Sequence, residues 1–107
     1  MSLADNLEKL LATGRDDALL RFSLGQAWLK AGDAARAAEH LRRAVEHDPR
    51  YSAAWKLLGK ALAEAGDPAG AAEAWRRGIT VAGERGDIQA EKEMKVFLRR
   101  LEKTAGG

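Results

Sequence analysis

The chain has 107 residues, 46% apolar and 32% charged, a composition that folds around one core and is too short for a second domain. Eighteen basic residues against 16 acidic ones leave a net charge of +2, a weak excess where nucleic acid requires a dense basic face. Cysteine is absent, which excludes disulfides, thiolate metal sites and cysteine nucleophiles. The N-terminal stretch carries charges where a secretory leader needs an apolar run, and no stretch has the length of a membrane span, so a cytoplasmic protein is expected.

In chain order, the pattern predicts six helices. The first covers residues 3–13, with Leu3, Leu7, Leu10 and Leu11 as its apolar positions, a Ser2/Asp5 capping box before it and Gly14 as its stop. The second covers 18–31, behind the acidic pair Asp16-Asp17, and stops at Gly32. Asp33 caps the third, 34–47, which ends before Asp48-Pro49 because proline restricts the residue ahead of it. Ser52 is placed to cap the fourth, which runs to residue 65 and stops at Gly66. Asp67-Pro68 opens the fifth, with proline at the first helical position, where its missing N–H costs nothing; this helix is expected to end near residue 82. Asp87 caps the sixth, 88–102, in which Ala90, Met94, Phe97, Leu98 and Leu101 share one arc and charges fill most of the rest, with Ile88 and Val96 outside the arc. Residues 104–107 are expected to form a flexible tail.

These helices repeat. A shift of 34 residues lays Leu24, Gly25 and Ala27 on Leu58, Gly59 and Ala61, then Ala31-Gly32-Asp33 on Ala65-Gly66-Asp67. Ala35, Ala37, Ala38 and Glu39 fall on Ala69, Ala71, Ala72 and Glu73, and Arg42-Arg43 falls on Arg76-Arg77. A fixed period in this range is the mark of stacked two-helix units. The first helix sits one period before the third, Leu3, Leu7, Leu10 and Leu11 matching Ala37, Leu41, Ala44 and Val45.

The two copies resemble the tetratricopeptide repeat, whose pattern is W-x2-L-G-x2-Y, then A-x3-F, then P. Arg21, Leu24, Gly25, Trp28, Ala37, Leu41 and Pro49 hold those positions in the first copy. Trp55, Leu58, Gly59, Leu62, Ala71, Trp75 and Gly83 hold them in the second; Arg21 for tryptophan and Gly83 for proline are the departures. The resemblance implies an all-α fold, a short right-handed α-solenoid of about six antiparallel helices. It would be one domain over residues 1–104: a capping helix at 3–13, repeats at 18–51 and 52–85, and a capping helix at 87–102. The first helix then stands in for the second helix of a missing earlier repeat. Trp28, Trp55 and Trp75 read as packing residues, and Gly25 and Gly59, costly inside helices, read as points of close helix approach.

In this family the first helix of each repeat lines a concave groove. Carried over, the peptide-binding groove would present Leu19, Phe22, Gln26, Leu29 and Lys30 from the first copy, and Ala53, Lys56, Lys60, Ala63 and Glu64 from the second. Lys56 and Lys60, four apart, share a helical face beside apolar residues, which suits an acidic peptide with apolar anchors. The carboxylate clamp of chaperone-binding members is missing: its positions hold Phe22, Gln26 and Leu57, or Ser23, Ala53 and Leu57 one repeat later.

Other chemistry has little footing. His40 and His47 lie seven apart on one helix with Ala44 between and no third ligand, so neither a metal nor a cofactor is expected. Ser23, Ser52 and Thr80 have no histidine that sequence logic places near them. Arg85-Gly86-Asp87 reads as a helix end and cap rather than an adhesion signal, and Gly106-Gly107 as an end rather than a modifier tail. The doublets Arg42-Arg43, Arg76-Arg77 and Arg99-Arg100 suggest a basic stripe that Glu39 and Glu73 would partly neutralise through i,i+3 pairing. The expectation is a non-catalytic adaptor for a protein or peptide partner, with nucleic acid disfavoured. The competing expectation is a homo-oligomer that associates through its solenoid ends or the edge around Val96.

Overall fold

Start and stop signals cut the chain into α1 (Leu3–Ala12), α2 (Ala18–Lys30), α3 (Ala34–His47), α4 (Ser52–Glu64), α5 (Pro68–Arg85) and α6 (Ile88–Gly106) in a computed structural model that describes residues 1–106. Aspartates start most of them by accepting a hydrogen bond from a freed backbone N–H: Leu20 N donates to Asp17 at 2.8 Å, Arg36 N to Asp33 at 3.0 Å, and Gly70 N to Asp67 at 2.9 Å. Ser2 and Asp5 form the reciprocal capping box on α1. Between paired helices the chain turns at Gly32 (φ 86°) and Gly66 (φ 85°), one period apart, in the left-handed region where a side chain would be strained.

Three boundaries differ from expectation. Ser52 does not cap α4; it is the first helical residue, behind Tyr51, and its buried hydroxyl donates to Asp87 Oδ2 at 2.8 Å. That bond ties the start of α4 to the start of α6, and with the Ala90 N–H it holds the Asp87 carboxyl below the usual range. Helix α5 continues through Gly83 to Arg85 and is capped by Gly86. Helix α6 extends to Gly106, so residues 104–106, expected in a flexible tail, have helical backbone, while Gly107 lies outside the described residues.

Each helix packs on its neighbour in sequence, and α4 also touches α2 and α6, which gives a curved stack of 43 × 30 × 18 Å. Within a repeat the pairing is tight because of the missing side chains. A Cβ at Gly25 would fall inside the Leu41 side chain, and one at Gly59 inside the Trp75 indole. Leu41 and Trp75 occupy the same repeat position and are buried, each contributing on the order of 2–3 kcal/mol of apolar burial. Trp75 Nε1 donates to the Lys56 carbonyl at 3.0 Å and Trp55 Nε1 to the Pro49 carbonyl at 2.8 Å, so both indoles are core residues with satisfied donors. Trp28 is half-buried under the Arg36 guanidinium, 4.5 Å from the ring centre.

The departure at Arg21 has a structural use. Its guanidinium donates through Nε and Nη2 to Asp16 at 2.8 and 2.9 Å, and Nη1 lies 3.0 Å from His40 Nδ1. His40 Nε2 in turn lies 3.0 Å from Glu8 Oε1 on α1, and His47 Nε2 lies 2.8 Å from Asp16 Oδ1. The two histidines are thus part of a polar bridge that binds α1, α2 and α3 together. Among the described residues no group of three or more His, Cys, Asp or Glu is placed to hold a metal ion.

Candidate peptide-binding groove

The concave side is shaped by α2 and α4, whose outward residues are one period apart, and is closed at its two ends by α1 and α6. A cleft of about 630 Å³ runs between α1, α2 and α4. Its apolar wall consists of Leu3, Leu7, Ala27, Leu29 and Leu57, and its polar residues are Ser23, Gln26, Lys30, Lys60 and Glu64. A second cleft of about 410 Å³ lies between α4, α5 and α6, with Ala63, Trp75, Phe97 and Leu101 inside and Lys60, Glu64, Arg100 and Thr104 around them. Lys60 and Glu64 border both clefts, so the two form one surface along α4.

Of the ten residues expected in the groove, Gln26, Leu29, Lys30, Lys60, Ala63 and Glu64 line these clefts. The other four do not. Phe22 stacks on Tyr51, ring centres 4.9 Å apart, and is a packing residue. Leu19 is exposed beside the entrance to α2, and Ala53 is half-buried outside both clefts. Lys56 is half-buried and donates to Glu93 Oε2 at 3.1 Å, so its charge is used to hold α6 against α4. Gln89 and Lys56 together keep the Glu93 carboxyl below the usual range. The charges available to a partner in the two clefts are therefore the cations Lys30, Lys60 and Arg100 and the carboxylate of Glu64, none of which has an ion pair among the described residues.

Sequence reasoning missed the contribution of the two end helices. Leu3 and Leu7 were legible as one period ahead of Ala37 and Leu41, which marks them as a packing face, but not as a groove wall. Phe97 and Leu101 were legible as the apolar arc of α6; that they stop short of full burial and leave a cleft against Trp75 depends on how far α6 stands from α4.

The convex side offers a shallower recess of about 260 Å³ near Trp55 and Arg77. Its arginines are paired differently from the i,i+3 expectation. Arg77 reaches Glu73 at 3.4 Å, Arg76 reaches Glu102 of α6 at 3.1 Å, Arg42 approaches Asp67 at 3.9 Å, and Arg43 approaches Glu46 at 3.5 Å. These arginines are met by acids from α3, α5, α6 and the turn before α5.

Stacked helical hairpins of this period, with a concave face built by the first helix of each, define a repeat module for protein interaction. The tetratricopeptide repeat family model matches residues 4–45 and 24–85, and the chain belongs to the tetratricopeptide repeat family. It is 62% identical over 101 residues to the TPR repeat-containing protein PA0015 of Pseudomonas aeruginosa, which covers 94% of this chain and 96% of that one. The solution structure of protein BPP2914 from Bordetella parapertussis is 47% identical, with a TM-score of 0.82 over 97% of this chain and 90% of that one. The TPR domain of Sgt2 from Aspergillus fumigatus is 27% identical, with a TM-score of 0.75 over 97% of this chain and 69% of that one. Members of the family generally mediate protein–protein interactions and are typically non-catalytic. No described helix is long and apolar enough to cross a membrane.

Proposed function

We propose that this protein is a non-catalytic, cytoplasmic adaptor that binds a peptide or protein segment in its concave groove, and that the segment is acidic with apolar anchors. The observation that carries this reading is the uncommitted pair Lys30 and Lys60, which outnumbers the unpaired Glu64 in the same cleft, beside an apolar wall that includes Leu7, Leu29 and Leu57. Apolar contacts supply most of the affinity in such a groove, while the two ammonium groups steer an acidic partner and reject basic ones. The pairing of the convex arginines with acids argues against nucleic acid as the ligand. Self-association through the solenoid ends is the second reading, favoured by the exposure of Leu3 and Leu10 at the α1 end.

The test is capture of partners from cell extract by the wild type and by Lys30→Glu/Lys60→Glu in parallel, with the fold of both checked by circular dichroism. Partners retained by the wild type and lost by the charge variant support the concave groove. Partners held equally by both place binding elsewhere. Sedimentation at several concentrations addresses self-association: one species of 11.6 kDa throughout counts against it.

A further inference from the structure

The cleft of about 410 Å³ between α4, α5 and α6 is walled mainly by carbon, from Ala63, Trp75, Phe97 and Leu101. The Trp75 and Phe97 rings stand 5.5 Å apart between centres and tilted by 45°, and they make one aromatic corner of it. The Trp75 N–H is already donated to the Lys56 carbonyl, so the indole offers the cleft only its carbon surface. Water against such walls finds few partners, and an apolar body of matching size displaces it with a gain in affinity. The volume falls within the range of small-molecule sites, about 300–1,000 Å³, which are apolar pockets with a few convergent polar groups.

Those polar groups stand at the mouth. Lys60 and Glu64 come from α4, and Arg100 and Thr104 from α6. The Thr104 hydroxyl donates to the Arg100 carbonyl at 2.9 Å, which leaves the three charged side chains to meet a ligand. All three are exposed and lack an ion pair among the described residues. Two cations against the one carboxylate of Glu64 leave a single positive charge in excess. A ligand with one negative charge therefore neutralises the mouth, whereas a cation adds to the excess. Arg100 supplies the planar fork that fits a carboxylate, and Lys60 supplies an ammonium from a second helix.

We propose that this cleft binds a small aromatic carboxylate, with its ring against Trp75, Phe97 and Leu101 and its acid group held by Arg100 and Lys60. The larger cleft beside α1 has no aromatic residue in its lining and carries Ser23 and Gln26 in its wall, so it does not share this ligand. The site does not depend on the groove reading, although Lys60 borders both clefts.

The test titrates isotope-labelled protein with indole-3-acetate and follows the amide shifts by NMR. Tryptamine, the same ring with a positive charge, and acetate, the charge without the ring, are titrated in parallel. Saturable shifts are expected with indole-3-acetate at residues 60–64 and 97–104. Tryptamine should bind about tenfold more weakly, and acetate should not saturate. Ala63→Phe fills the cavity and should abolish binding. Arg100→Glu, at an exposed position outside the core, turns the excess charge negative and should reverse the order of the two indoles; it serves if Ala63→Phe unfolds. The proposal is overturned if indole-3-acetate gives no saturable shifts, if tryptamine binds the wild type as tightly, or if a folded Ala63→Phe still binds. Shifts confined to the cleft between α1, α2 and α4 also overturn it. A partner captured from extract that perturbs residues 60–64 and 97–104 where indole-3-acetate does not overturns it in favour of a partner side chain, and the groove reading then stands.

Discussion

Arg21 Nη1 and His40 Nδ1 meet at 3.0 Å between α2 and α3. A guanidinium only donates, so Nδ1 is the acceptor and the imidazole hydrogen sits on Nε2, a nitrogen that lies 3.0 Å from Glu8 Oε1 without a hydrogen bond between them. The neutral histidine therefore stands between a cation on α2, which it accepts from, and an anion on α1. Removing the cation leaves His40 Nδ1 buried without a donor. Arg21→Ala is expected to cost about 1–3 kcal/mol, measured by urea unfolding, and Arg21→Lys to recover only part because one ammonium cannot span Asp16 and His40 as the planar fork does.

Stability should fall in two steps as pH is lowered. Burial, with the Arg21 charge adding to it, holds His40 below its ordinary 6.5, against Glu8 and Glu39, which pull the other way. The unfolded chain then binds the proton first, so stability is full above about pH 6.5 and declines as pH falls from there through the folded-state value. Asp16 is held low by Arg21 and then His47, Asp87 by Ser52, and Glu93 by Gln89 and then Lys56; what these acids contribute is present above about pH 4 and lost below it. His40→Gln should flatten the first step and spare the second. Thermal unfolding between pH 7 and 3 checks this; a wild-type midpoint that does not move between pH 7 and 5 would count against the buried neutral histidine.

Two helical glycines in the second repeat should respond oppositely to alanine. At Gly59 the new methyl meets the Trp75 indole, which is fixed by its bond to Lys56, and a loss of about 1–3 kcal/mol is expected. At Gly83 the nearest atom is Glu91 Oε2 at 3.4 Å, the end of a flexible side chain, so the gain in helix propensity prevails and stability rises by up to about 1 kcal/mol. Paired denaturant titrations decide it, and equal signs for the two would contradict the packing described.

The Lys56–Glu93 bond should control how firmly α6 closes the groove. Lys56→Glu places two carboxylates together and is expected to speed amide exchange in the first half of α6, while Lys56→Glu/Glu93→Lys restores protection. Because both partners are part-exposed, the effect on global stability is expected to be small, and exchange measured by mass spectrometry is the more sensitive reading.

The fold was legible because its determinants are local and repeated. Gly32 and Gly66, Asp33 and Asp67, Gly25 and Gly59 each mark the same event one period apart, and the helix faces follow from spacing alone. The groove was legible only in part because its charges depend on contacts that spacing does not contain. Lys56 looks free beside Lys60 until Glu93, 37 residues away, is brought against it. Phe22 looks like a groove aromatic until Tyr51 stacks on it. Arg21 read as a lapse in the pattern, since its partners Asp16 and His40 lie on two other segments.

The nearest-neighbour packing of the six helices has a consequence for how the chain assembles and how it is lengthened. Every hairpin closes a short stretch of backbone, so little loop entropy stands between the unfolded chain and its first native contacts, and folding should be rapid. The same independence lets a whole unit be copied in place. A chain with residues 52–85 duplicated should gain two helices, a longer concave face and greater resistance to denaturant, without a new kind of contact.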